Sequence, residues 1–443
     1  MKPEEIYERI KLCVRQIDAC REDFVVRPGK DFTRARKISF YDCMMSVVCM
    51  HGGTLFSEIL EYFPDDPAGT GLPTVPAYLQ QRAKIKPGAF EELFRATTDL
   101  NGQERSYHGY RLLAADGSDV QIPVNPEDRG TYFPGVNGQK PYNLIHLNAL
   151  YDILSNTYQD VIVQDRYKWA EQAALNRMVD GSAIGQAIVI ADRGYESYNV
   201  MAHIQEKGWC YLIRVKDIDG NGIVSRLDLP DAEEFDIQID LQMTRKNSKE
   251  AGELFKDRNH YRYAPPNSRL DYLPARSVYK EDAVFYRIPF RAVRFRIGEG
   301  RYETVVTNLP EGRFPARMLK GLYAMRWGSE TSFRTLKYNV GMLYFHSRKR
   351  GLVLQELFAK LAFFNITACM SSVPLQQHSK RKHPYKVNAA NAVLICRKLF
   401  LDRISPQTAY GLILKSAVPI RNNRSFERKA HPGIAVSFIY RIS

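Results

Sequence analysis

Four residues in the stretch YAMRWGSETSFRTLK, residues 323–337, are spaced so that they can act together: Tyr323, Arg326, Glu330 and Lys337. On an α-helix turning about 100° per residue, these positions fall within one arc of about 60°. Leu322, Met325, Phe333, Leu336, Val340 and Leu343 form an apolar stripe beside that arc. One helix over this stretch is therefore predicted to press its stripe on a core while holding a carboxylate among a phenol and two cations. A helix glutamate alone is usually solvated. It acquires chemical meaning when other acids stand at the ends of neighbouring strands.

Two do. Asp192 ends the apolar run Ala187-Ile188-Val189-Ile190-Ala191, and Asp116 follows Leu112-Leu113-Ala114-Ala115 and precedes Gly117, which is expected to let the chain turn. The carboxyl ends of strands in such sheets are where sites are usually assembled. Carboxylates from two strands and a helix suit hard, oxygen-preferring cations such as Mg²⁺. Two such ions about 3.5–4 Å apart activate an attacking oxygen and stabilise a leaving one in phosphoryl transfer. No His or Cys cluster competes for a softer metal. The alternatives are that Asp192 caps a helix beginning near Glu196 and that Asp116 belongs to an Asp-Gly turn. Asp119 and Asp165 are rival acids at nearby strand ends, and Asp165 is also placed to start the helix of the 170s.

The elements that must position these acids follow from hydrophobic period. Residues 1–105 read as helical, with two short helices broken at Lys86-Pro87 that form a possible DNA-docking unit or an ordinary hairpin. From 106 to 217, three strands precede alternating helix and strand, the pattern of a mixed sheet with covered faces. Residues 218–308 read as a β-rich insertion. Helices resume over 309–373, and 374–443 is a basic C-terminal region.

The net charge is +14, and 13 Lys or Arg against two acids lie between Pro374 and Ser443. Such density favours a polyanion, most often nucleic acid, over a merely solvated tail or a membrane-surface patch. Seven scattered cysteines without a C-x-x-C pair read as reduced thiols of a cytosolic protein. The charged N-terminus lacks the apolar core of a signal peptide. The apolar span 352–373 carries Gln355, Glu356 and Lys360, so it reads as a core helix and no membrane partner is expected.

Tyr323, Arg326, Glu330 and Lys337 match the Y-x2-R-x3-E-x6-K signature, in which the chain resembles a large group of bacterial insertion-sequence transposases. AADGSDVQIP and IADRGYES are similar to that family's two aspartate strands, and VVTNLP and YFHSRKR to segments flanking its glutamate helix. The similarity runs over residues 75 to 375. The resemblance implies an α/β, RNase H-like core with a β-rich insertion. It implies Asp116, Asp192 and Glu330 as catalytic residues holding two Mg²⁺ ions, with Mn²⁺ as a substitute. Tyr323, Arg326 and Lys337, helped by Arg193 and Arg334, would hold DNA phosphates. Double-stranded transposon ends and target DNA would be the partners of a homodimer, with residues 1–105 recognising the ends. The expected reaction is end cleavage followed by strand transfer, commonly through a hairpin. A nuclease that cuts without joining and a silent DNA-binding derivative are the alternatives. One departure stands out. Relatives stack a tryptophan of the insertion on a flipped base, yet the tryptophans here are Trp169, Trp209 and Trp327, none within 218–308.

Overall fold

The computed structural model describes residues 2–34, 36–63, 71–100, 105–136, 138–165, 170–274, 284–372 and 383–420. Helices α1 (Pro3–Ala19), α2 (Arg21–Phe24), α3 (Phe40–Cys49), α4 (Leu55–Tyr62), α5 (Val75–Arg82) and α6 (Gly88–Ala96) come first. The sheet strands are β1 (Arg111–Ile122), β2 (Tyr132–Phe133), β3 (Tyr142–Asp152), β4 (Thr157–Gln164), β5 (Ala187–Ala191), β6 (Cys210–Val215), β7 (Phe235–Thr244), β8 (Tyr261–Tyr263), β9 (Tyr286–Gly298) and β10 (Arg301–Thr307). Between them lie α7 (Glu171–Gly181), α8 (Tyr198–Glu206) and α9 (Lys249–Leu254), and after them α10 (Ala316–Ala324), α11 (Trp327–Arg334), α12 (Arg350–Met370), α13 (Ala389–Phe400) and α14 (Pro406–Lys415).

The sheet is mixed. β4, β3 and β1 are antiparallel neighbours, and β5 and then β6 continue it parallel to β1. Both faces of β5 are covered, which is why its five residues are all apolar and all buried. β10, β9 and β7 then add antiparallel strands beyond β6. Among the described residues, the strands of the β-rich stretch 218–308 therefore extend the same sheet edge to edge.

Side-chain alternation sends Leu113, Ala115, Val189 and Ala191 to one face, against α7 and α8. Leu112, Ile188, Ile190 and Leu212 point to the other, against α10. The N-terminal helices share a single core with α12–α14 and with β3 and β4, so they pack as part of the body. Helix α12 is long and apolar enough to cross a membrane, but 89% of its most apolar window is buried inside the fold. Much of the basic region, 374–382 and 421–443, lies outside the described residues.

The single helix predicted over 323–337 is corrected to two helices and a wide turn. After α10, the N–H groups of Met325 and Arg326 bond only three residues back, to Leu322 and Tyr323, the tight 3₁₀ pattern. Past α11, Thr335–Asn339 widens into a π-turn, and Val340 N–H reaches the Thr335 carbonyl. The helix stops at Gly341, whose φ of +87° admits few side chains and where a Cβ would stand 3.0 Å from the His51 carbonyl. Through the change of winding Tyr323, Arg326 and Glu330 stay neighbours, with Arg326 5.9 Å from the Tyr323 ring and 3.0 Å from Glu330. The apolar stripe is buried as expected, Leu322 against the α10 side of the sheet and Phe333, Leu336 and Val340 in the helical core. Small residues add to the docking of α11: a Cβ on Gly328 would meet Ile153 and Tyr151 at 3.7 and 3.9 Å.

Candidate active site

Asp116 and Asp192 stand side by side. The parallel register pairs Ala115 with Ala191, so the next residues on the two strands are these acids, on the face shared by Leu112 and Ile190. Asp192 leaves the sheet into a short 3₁₀ turn, where its Oδ1 accepts from Gly194 N at 2.9 Å. It caps that turn, while Ser197 caps α8. Asp116 is not at a strand end as expected: β1 runs on through Gly117 to Ile122. Its Oδ1 accepts from Gly117 N at 3.0 Å. Gly117 makes no turn here. A Cβ on it would lie 2.5 Å from Glu171 Oε1 and 2.6 Å from His146 Nε2, so the glycine permits a close approach from behind the sheet.

Glu330 arrives on α11, and a hydroxyl ladder fixes that helix to the sheet. Ser329 Oγ lies 3.0 Å from Asp116 Oδ2 as its donor. Ser332 Oγ donates to the Ser329 carbonyl and lies 2.9 Å from Tyr158 Oη. Both serines are buried. Ser329 was not singled out from the sequence. Its signal is the run of small residues Gly328, Ser329 and Ser332 at helical spacing beside the acid.

Arg326 lies between the carboxylates, with Nη2 3.0 Å from Glu330 Oε1 and Nη1 3.8 Å from Asp116 Oδ2. Burial raises the Asp116 carboxyl above its ordinary range, opposed by Ser329, Arg326 and Gly117 and reinforced by the charge of Asp192. Tyr323 and Arg326 are buried, and Tyr323 Oη and Arg326 Nε make no hydrogen bond of ordinary geometry. Lys337, half-buried in the π-turn, has its ammonium pKa lowered by burial. Arg193 and Arg334 are exposed. Among the described residues, no three His, Cys, Asp or Glu side chains gather closely enough to hold a metal ion.

The rival acids serve elsewhere. Asp119 pairs with His146 Nδ1 at 2.7 Å, and His146 Nε2 reaches Glu171 Oε1 at 3.0 Å. Asp165 pairs with Arg350 at 2.6 Å, and α7 begins only at Glu171. Behind the turn of Asp192, a cleft of about 500 Å³ is lined by His146, Glu171, Asn176, Gly194 and Arg269. Of the tryptophans, Trp209 is buried, Trp327 is 55% exposed three residues before Glu330, and Trp169 lies outside the described residues.

With this geometry in hand, comparison with known proteins is informative. Residues 107–366, more than half of the chain, match the family described as the transposase DDE domain. The chain is 26% identical over 151 residues to the putative transposase InsZ of Escherichia coli strain K12, a match covering 32% of this chain and 50% of that protein. The chain thus spans about half the length of this curated relative. Among solved structures, the cryo-EM piggyBac transposase synaptic complex with hairpin DNA is similar with a TM-score of 0.40 and 10% identity, covering 93% of this chain and 80% of that one.

Proposed function

The chain belongs to the transposase DDE-domain family, and on that premise we propose that it cuts DNA at paired transposon ends and joins them to a target. Asp116, Asp192 and Glu330 are the acids of this reading. The observation that carries it is the side-by-side register of Asp116 and Asp192 together with the Ser329 contact that docks the Glu330 helix on Asp116. The strand order β4-β3-β1-β5-β6, with the first three antiparallel and the last two parallel to β1, supports an RNase H-like core.

The donor types suit a hard cation, being three carboxylates, one of them raised by burial. As they stand they do not gather closely enough to hold an ion, and Glu330 would have to turn from Arg326 to join one. Asp116, Asp192 and Glu330 would hold Mg²⁺, or Mn²⁺ in its place, and the bound ions supply activation of the attacking oxygen and stabilisation of the leaving one. Arg326 already neutralises Glu330, so an ion and this guanidinium compete for one carboxylate. A phosphate offers Arg326 and the adjoining Tyr323 hydroxyl an alternative acceptor, and Lys337, Arg193 and Arg334 add charge around it. The helical N-terminus would recognise the ends and the basic C-terminal region would add phosphate contacts in a homodimer. DNA binding is then expected to weaken steeply with salt.

The test is purified protein incubated with its own element's inverted repeats and Mg²⁺, scoring nicks, hairpins and joined products. Asp192→Ala is expected to retain end binding and lose cleavage by at least a thousandfold. Wild-type cutting by that variant sinks the assignment, and cutting without joining identifies a nuclease instead.

A further inference from the structure

Three side chains outside the proposed acids meet behind the sheet. Asp119 and His146 are cross-strand partners on β1 and β3, and Glu171 opens α7. His146, 8% exposed, spans the two carboxylates at 2.7 and 3.0 Å. These partners outweigh its burial and hold the imidazole up to about 9, so it is a cation between two anions at neutral pH. The start of α7 is itself fixed: Gln164 at the end of β4 accepts from Ala170 N at 3.1 Å and is held by Asn148 at 3.0 Å. A carboxylate in a first helical turn also sits well in the helix dipole.

Glu171 fills the space where side chains would stand on the glycines beside both aspartates. Its Oε1 stands 2.5 Å from where a Cβ of Gly117 would be, and its Oε2 3.4 Å from that of Gly194. The next residue, Gln172, donates to the Gly194 carbonyl at 2.9 Å. Gly194 N is the group that holds Asp192 Oδ1. We infer that Glu171, locked by His146 and Asp119, is a positioning residue that sets the spacing of Asp116 and Asp192 from the rear of the sheet. The inference rests on the reading above for what that spacing serves.

Magnitudes separate this role from a merely structural one. Glu171 is 38% exposed, and the buried His146 keeps Asp119 as a partner when Glu171 is lost, so the loss stays near the roughly 0–1 kcal/mol of an exposed pair. Losing Glu171 is expected to spare folding. A misplacement of about 1 Å, by contrast, costs a reaction on the order of a hundredfold.

Glu171→Ala is expected to lower end cleavage about 10- to 100-fold, with end-DNA affinity and the thermal midpoint unchanged. Glu171→Gln, which still accepts from His146, is expected to stay within about threefold of wild type. Gly117→Ala is expected to lower cleavage at least as much as Glu171→Ala, because its methyl needs the space that Glu171 and the His146 ring fill. The double variant is expected to be no worse than Gly117→Ala alone. Amide exchange over Asp192–Tyr195 is expected to quicken in Glu171→Ala. Unchanged exchange there overturns the clamp whatever the protein cuts, as does additive loss in the double variant or wild-type cutting by Glu171→Ala. A wild-type protein that cuts no DNA overturns the function proposed above, and the exchange result then still decides the clamp.

Discussion

Around Glu356 the buried charges are matched, whereas around Asp116 they are not. Glu356 and Arg82 are both fully buried and paired at 2.9 Å. Glu356 also accepts from the backbone and ring of His346. Arg82 donates further to Gln355 Oε1 and the Leu352 carbonyl. Lys360 donates to three carbonyls, those of His51, Gly341 and Tyr344, and Arg397 joins Glu58 to the Cys49 carbonyl. Beside Asp116, Arg326 is stretched between two acids, and its Nε and the neighbouring Tyr323 hydroxyl are buried without a hydrogen bond of ordinary geometry. Burial raises the carboxyls at both places, but Arg82, His346 and Lys360 bring Glu356 down to about 2 while Asp116 stays up. The same ingredients are closed in one cluster and left open in the other. A closed cluster ties helices together: this one fastens α4, α5, α12 and α13 to the turn after the Glu330 helix. An open one has bonds to give to something from outside.

Removing a carboxylate should therefore have opposite signs in the two places. Glu356→Gln breaks a buried pair and leaves Arg82 uncompensated, so it is expected to cost about 3–5 kcal/mol. An unfolding free energy from urea titration lowered by less than about 1 kcal/mol would mean that the cluster is not a fastening. Asp116→Asn should do the reverse, raising stability by about 1 kcal/mol while ending cleavage, as expected where function keeps a strained charge in place. A variant destabilised as much as Glu356→Gln would show that Asp116 is compensated after all.

The contrast also explains what could be read from sequence. The strand that ends at Asp192, a helix carrying Glu330 and the mixed sheet were legible as elements because each follows from a local pattern, whether a helical spacing or an apolar run ending in an acid. The closed cluster was not, since Arg82, His346 and Glu356 lie on separate elements and nothing in their neighbours marks them as partners. Gly117 was legible as special but for the wrong reason. A glycine after an aspartate suggests a turn, and only the packing of α7 reveals that it makes room for Glu171. The break at Met325–Arg326 was hidden as well. A regular helical period assumes one winding, while the chain tightens and then widens so that Gly328 and Ser329 reach the sheet.

Acid titration gives the smallest and most discriminating effect. Glu356 has a folded pKa of about 2 against 4.5 when unperturbed. Its stabilisation is present in full above about 4.5 and is lost as pH falls through about 2. Asp116 has a folded pKa above its ordinary 3.8. The folded protein takes up that proton first, so the cost of the Asp116 charge is relieved as pH falls from the folded value to about 3.8. Urea midpoints for wild type, Glu356→Gln and Asp116→Asn from pH 7 to pH 3 should then cross-check each other. The advantage of Asp116→Asn is expected to be greatest at pH 7 and gone below about pH 4. The deficit of Glu356→Gln is expected to hold constant down to about pH 4.5 and to narrow only below it. If the Asp116→Asn advantage persisted unchanged at pH 3, burial of an uncompensated charge would not be its cause, and the sheet edge would have no open electrostatic balance for a cation to fill.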